Sequence, residues 1–324
     1  MSAPMSDTSA VPRIDADAER LLMAMRAANR PPFEQLTPDQ ARAAWQMMRK
    51  AMNQFVPPMA DVRALAADGP NGPIPLRLYR SQAAAMDRSS PVLVFFHGGG
   101  WVVGDLDTHD VLARHLANAV EGVAIAVDYR LAPEHKFPAA AEDAIAATQW
   151  IAKNAHELGV DAARMAVAGD SAGGNLATVA ALAAVRDGTP RIQAQALIYP
   201  TVDLRCDYPS YDRVGSGYTL TKASMYWFRD HYLNDPGETE DWRASPMLAG
   251  NLGKLPPAYV VTGGLDPLCD EGEAYAKALE QAGVEVVFRH FPGQMHGFAG
   301  QFGLIGAADT VTAEVGAFVR KHWA

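Results

Sequence analysis

Along most of this chain, short unbroken apolar runs alternate with longer stretches of helical spacing. The runs fall at 74–80 (IPLRLYR), 92–96 (VLVFF), 122–129 (GVAIAVDY), 164–169 (RMAVAG), 194–200 (AQALIYP), 258–264 (AYVVTGG) and 284–291 (VEVVFRHF). Apolar runs without polar alternation are what strands need in a sheet covered on both faces. Between most of them, 108–120, 139–158, 175–186 and 270–282 have helical texture. Strand–helix repetition of this kind predicts an α/β fold: a mostly parallel central sheet with helices on both faces.

Two regions break the rhythm. Before the first run, 15–29 has helical spacing with acids at its start, which suits the helix dipole. A second helix is predicted over 38–53, opened by Thr37 as N-cap and by Pro38 at the first helical position. Residues 1–12, small and polar, are expected to be disordered. Later, 201–257 is too long for a single crossover and carries eight aromatic residues between Tyr208 and Trp242. It is expected to stand over the carboxyl edge of the sheet, packed with the N-terminal helices.

Composition narrows the function classes. The chain has 324 residues, 49% apolar and 20% charged, enough to bury a full core without disulfides or metals. A net charge of −9 argues against nucleic acid or an anionic membrane surface as the main partner. The two cysteines, Cys206 and Cys269, form no CxxC and sit near no histidine cluster, so neither zinc nor a disulfide is expected. The first residues lack a basic region followed by an apolar one, and no run nears the length of a membrane span, so a cytoplasmic location is expected.

The chemistry concentrates in "GDSAGGNLA", 169–177. A G-x-S-x-G between a strand and a helix holds its serine on a sharp, strained turn with the hydroxyl exposed, and the helix N-terminus faces developing negative charge. Ser171 then needs a base, and the base an orienting acid. Of nine histidines, His296 lies just past the last strand, whereas His290 lies within it and His97 precedes three glycines. Asp266 follows the strand before the histidine strand; Asp203 is its competitor, and Asp270 already opens a helix. The order Ser171, Asp266, His296 is that of an α/β-hydrolase. The loop "HGGGW", 97–101, supplies unobstructed main-chain donors, with Gly98 and Gly99 expected to join Ala172 in an oxyanion hole. It lacks the lysine that a phosphate loop would carry.

"HGGGW", "YRLAPEHKFPAA" (129–140), "GDSAGGNLA", "DPLCDEGEAYA" (266–276) and "MHGF" (295–298) occur in this order. Together they resemble the hormone-sensitive-lipase-like α/β-hydrolases, in the bacterial carboxylesterase branch with aspartate before the nucleophile. The resemblance runs from about residue 74 to 320 and implies a serine carboxylesterase acting on short- to medium-chain acyl or aryl esters. It implies Ser171 as nucleophile, His296 as base, Asp266 as acid, and Gly98, Gly99 and Ala172 as oxyanion donors, with "YRLAPE" as a structural brace. No cofactor or metal is implied; the partner is a small-molecule ester, with no nucleic acid and no membrane span, and a homodimer is compatible. The implied domains are cap helices at 1–55 and a catalytic domain at 56–324 with a cap insertion at 201–257. One departure is Gln294, where family members often have an apolar residue before the histidine. The family also resembles plant receptors that bind without catalysis and have lost the histidine; His296 argues for the enzyme. An amidase or lactonase with the same triad is left open.

Overall fold

The computed structural model describes residues 11–52, 55–84 and 89–323. The first ten residues, most of the segment expected to be disordered, lie outside that range. Eight strands form one sheet: β1 (Asp61–Gly69), β2 (Gly72–Arg80), β3 (Ser90–Phe96), β4 (Val123–Val127), β5 (Val160–Asp170), β6 (Ile192–Ile198), β7 (Ala258–Leu265) and β8 (Val286–Met295). Their spatial order is β1-β2-β4-β3-β5-β6-β7-β8, and the pairings are parallel except β1–β2 and β2–β4.

Alternation along the central strands creates two cores. Val92, Val94 and Phe96 of β3 join the cluster on one face, while Leu93 and Phe95 join the cluster on the other. β4 divides in the same way, Val123, Ile125 and Val127 against Ala124 and Ala126. Successive side chains of a strand point to opposite faces, so a run apolar at every position is buried twice over. The first face is covered by α4 (Ala139–Lys153), α5 (Ala155–Leu158), α6 (Ala172–Asp187) and α9 (Cys269–Gln281). The second is covered by α3 (Asp110–Ala119) and α10 (Gly306–Trp323). The N-terminal helices α1 (Ala16–Ala27) and α2 (Pro38–Met52), with α7 (Ser210–Arg213) and α8 (Lys222–Tyr232) of the long insertion, complete the α-helices among the described residues.

Thr37 does open α2, and reciprocally: its Oγ1 accepts the Gln40 N–H at 3.3 Å while its own N–H donates to Gln40 Oε1 at 3.0 Å. The sequence pattern missed β1, whose alanines and charges carry no strand signature. β1 exists because it pairs with β2 through a two-residue connection at Pro70 and Asn71. The pattern also missed α10, and it ran α4 and α5 together, where Asn154 ends the first helix and its Nδ2 donates back to the Trp150 carbonyl. Among the described residues, no helix is long and apolar enough to cross a membrane. Cys206 and Cys269 are both free and buried.

Candidate active site

The candidate residues stand at or just beyond the carboxyl ends of β3, β5, β7 and β8, where open α/β sheets form their crevice. Ser171 is the single residue between β5 and α6, at φ 57° and ψ −121°. A non-glycine residue stays in such a conformation only when its surroundings force it. Here the forcing is visible. The Ser171 N–H donates to the Ile198 carbonyl of β6 at 2.8 Å, and the Ser171 carbonyl accepts from Asn175 at 3.2 Å and Thr201 at 3.3 Å. The turn also brings α6 against β3, where a Cβ on Gly173 would overlap the Phe96 carbonyl oxygen.

His296 directly follows β8. Its Nε2 lies 2.9 Å from Ser171 Oγ, and its Nδ1 lies 2.7 Å from Asp266 Oδ2. Asp266 is fully buried, and its second oxygen accepts the Leu268 N–H at 2.9 Å. His296 has two further supports: Thr219 Oγ1 donates to its main-chain carbonyl at 2.7 Å, and the Tyr199 ring lies 4.7 Å from the imidazole, centroid to centroid. Asp203, the competing acid, is elsewhere occupied. It accepts from Arg205 Nε at 2.9 Å, Arg205 Nη2 at 2.6 Å and Tyr208 at 3.2 Å. His290 lies within β8, its Nδ1 3.0 Å from Thr262 Oγ1.

The glycine loop corrects one expectation. The Gly98 N–H donates to Asp170 Oδ1 at 2.9 Å, and Gly98 is buried, so it has no free donor for a substrate. Gly99 and Gly100 line the cavity over Ser171, and among the described residues their N–H groups have no acceptor. Gly99 sits at φ 124°, and a Cβ there would overlap the Val103 carbonyl. Ala172 is where it was expected. As the first residue of α6, its N–H has no intrahelical acceptor.

Asp170 therefore fastens the glycine loop to the Ser171 turn. It is buried, with His109 Nε2 3.6 Å away. Although burial works against the charge, His109, Arg49 and His97 hold its carboxyl below the usual range. Burial, reinforced by His109, pushes the His97 imidazole down to about 4. The "YRLAPE" segment braces the same loop: Tyr129 donates to the His97 carbonyl at 2.7 Å, and the Ala132 N–H donates to the Trp101 carbonyl at 2.8 Å. No sequence signal pointed to Thr219. For Asp170, its place beside Ser171 marked the family branch but not its contact 72 positions away.

A cavity of about 550 Å³ opens over Ser171. Its apolar walls include Leu22, Met25, Phe33, Trp45 and Met48 from the N-terminal segment, and Leu220, Met225 and Phe228 from the insertion. The two segments also meet directly, with Phe33 and Phe228 rings 5.0 Å apart and Ser224 Oγ donating to Glu34 Oε2 at 2.9 Å. Met47, the neighbour of Met48 in the chain, is 67% exposed and does not line the cavity. Of the eight insertion aromatics, only Tyr218 and Phe228 line the cavity; Tyr232, for example, stacks on Trp101 at 4.3 Å.

A family model described as the alpha/beta hydrolase fold matches residues 93–300. Among curated proteins, the carboxylic ester hydrolase LipN of Mycobacterium tuberculosis is 45% identical, over 81% of this chain and 70% of its own length. The ethyl acetate hydrolase of Pseudomonas putida is 41% identical over 82% and 83%. Among solved structures, a thermostable esterase from Pseudomonas putida superposes with a TM-score of 0.92 at 37% identity, covering 98% of this chain and 99% of that one. The matched segment spans the glycine loop, the Ser171 turn and the His296 turn alike, and the chain belongs to the hormone-sensitive-lipase-like α/β-hydrolases.

Proposed function

We propose that this protein is a serine carboxylesterase hydrolysing short- to medium-chain acyl or aryl esters through an acyl-enzyme intermediate. One observation carries the reading: Ser171 Oγ, His296 and Asp266 stand in hydrogen-bonded sequence, at 2.9 Å and 2.7 Å, beneath an apolar cavity. In this reading Ser171 Oγ attacks the ester carbonyl carbon as His296 Nε2 takes its proton. The carbonyl oxygen becomes an oxyanion, held by the N–H groups of Gly99, Gly100 and Ala172. Each such donor is typically worth about 10²–10³ in turnover. The carbon–oxygen bond to the alcohol breaks, and His296 gives the alcohol its proton. Water then attacks the acyl-enzyme, His296 again moves the proton, and Ser171 is released with the carboxylic acid. Asp266 keeps the proton on Nδ1 and stabilises the imidazolium.

The relatives support the reaction class by their names, which are those of carboxylic ester and ethyl acetate hydrolases. The cap is part of the same proposal: helices within 1–55 and the insertion 201–257 close the cavity above a catalytic domain at 56–324. Each buried methylene contributes about 0.8 kcal/mol until the cavity is full. A series of p-nitrophenyl esters tests both points. Activity is expected to peak at about C4 to C8, as the family resemblance implies, and to fall by C12 once the cavity is full. Ser171→Ala should abolish it, and a folded Ser171→Ala protein that still turns over would overturn the nucleophile assignment. A homodimer also belongs to this proposal: β8 is an edge strand with Val287 exposed, and sedimentation showing only monomer would exclude it.

A further inference from the structure

Gln294, the polar residue two positions before His296, is only 2% exposed. Its Nε2 donates to Asp15 Oδ2 at 2.9 Å and to Asp17 Oδ1 at 3.1 Å. Asp15 is the N-cap of α1, yet its side chain makes no capping bond to its own helix; it accepts from Gln294 instead. Two backbone links reinforce the contact. The Asp15 N–H donates to the Gly293 carbonyl at 3.0 Å, and Asp17 Oδ2 accepts the N–H of Gly306, the first residue of α10, at 3.0 Å. The N-terminal end of α1 is thereby pinned to the strand that delivers His296.

Elsewhere α1 is lightly held. Ala18 and Leu22 are its buried residues, and near its far end Arg26 Nη2 donates to the Gly217 carbonyl at 2.8 Å. Its inward side, Leu21, Leu22 and Met25, forms part of the cavity wall. A helix with so little buried apolar surface keeps its place through hydrogen bonds and moves when they are lost.

Resting on the esterase reading, we propose that Gln294 is a specificity-determining residue: by clamping α1 through Asp15 and Asp17, it fixes the wall that limits ester chain length. It acts through α1 rather than on the reacting atoms, so it is a positioning residue. Removing the acceptors leaves the histidine turn untouched, while Gln294→Leu removes the clamp and keeps the bond from Gly306 to Asp17.

The test uses the full chain carrying Asp15→Ala with Asp17→Ala, alongside Gln294→Leu and a control Asp15→Asn, whose amide oxygen still accepts from Gln294 and which leaves both Asp17 oxygens in place. Hydrogen exchange over 16–27 and kcat and KM on p-nitrophenyl esters from C4 to C12 are measured for each. In the alanine pair, α1 amides should exchange about tenfold faster, the scale set by losing a charge-assisted hydrogen bond. KM for C6 should rise about fivefold with kcat within about twofold, and the C12-to-C6 ratio of kcat/KM should rise about tenfold. Gln294→Leu should shift the profile the same way, and Asp15→Asn should stay near wild type. Unchanged exchange in α1, or faster exchange with an unmoved chain-length profile, would overturn the proposal while leaving the esterase reading intact. A wild-type protein that hydrolyses none of the esters would overturn both.

Discussion

Asp266→Asn separates the proposed orienting acid from its competitor, and the geometry sets the size of the effect. Asp266 is fully buried with two partners: Oδ1 accepts the Leu268 N–H at 2.9 Å, and Oδ2 faces His296 Nδ1 at 2.7 Å. An amide in that position keeps its oxygen toward Leu268, which has only a donor to offer, and so turns its NH₂ toward the imidazole. A donor there makes Nδ1 the acceptor and moves the ring proton to Nε2. His296 Nε2 can then no longer take the proton of Ser171 Oγ, 2.9 Å away. A tautomer error of this kind costs about 10⁴ in kcat, or about 5 kcal/mol of barrier. The fold should survive because the Leu268 bond is kept. Asp203→Asn is the comparison, since its partners Arg205 and Tyr208 do not touch the triad. It should change kcat by less than about threefold. Steady-state hydrolysis of p-nitrophenyl butyrate, with thermal melts to confirm folding, gives both numbers. A loss below tenfold for Asp266→Asn, or a larger loss for Asp203→Asn, would refute the assignment.

Ser171→Gly should abolish hydrolysis, with turnover down about 10⁵–10⁶. It should also relieve the strain at φ 57°, stabilising the fold by about 1 kcal/mol and raising the melting midpoint by about 1–2 °C. A lowered midpoint would count against strain at the turn. Gly173→Ala drives a Cβ into the Phe96 carbonyl and should cost about 3 kcal/mol in denaturant unfolding together with most activity; a neutral result would contradict the tight contact between α6 and β3. His97 titrates near 4 when folded because burial and His109 disfavour its charge, against about 6.5 when unfolded. The unfolded chain therefore binds more protons between those values, so this contribution is complete above pH 6.5 and is lost as pH falls toward 4, by about 3 kcal/mol. Asp128, pushed up to about 6 by burial and by Asp105, works in the opposite sense below pH 6. The measurement is thus the difference between wild type and His97→Asn in urea unfolding from pH 7 to 4; parallel curves would show that His97 carries no such linkage.

The doubly covered sheet was legible in the sequence, because strands apolar at every position need cover on both faces. The three residues of the proposed triad were read there as well. A serine between glycines at a strand–helix junction, with Asp266 and His296 following later strands, is a constraint written locally at each site. What it could not determine were matters of partnership. β1 is a strand only because β2 offers its edge, and α10 is placed by the second face it covers. Gly98 reads as a donor until folding brings Asp170, 72 positions away, to its N–H, which passes the free donors on to Gly99 and Gly100. Gln294 reads as an oddity until α1 arrives with Asp15 from 279 positions away. Strand and helix pattern follows from the local balance of apolar and polar groups. The state of a single N–H or amide follows from whatever the fold sets within 3 Å of it, and in these cases that neighbour is distant in sequence.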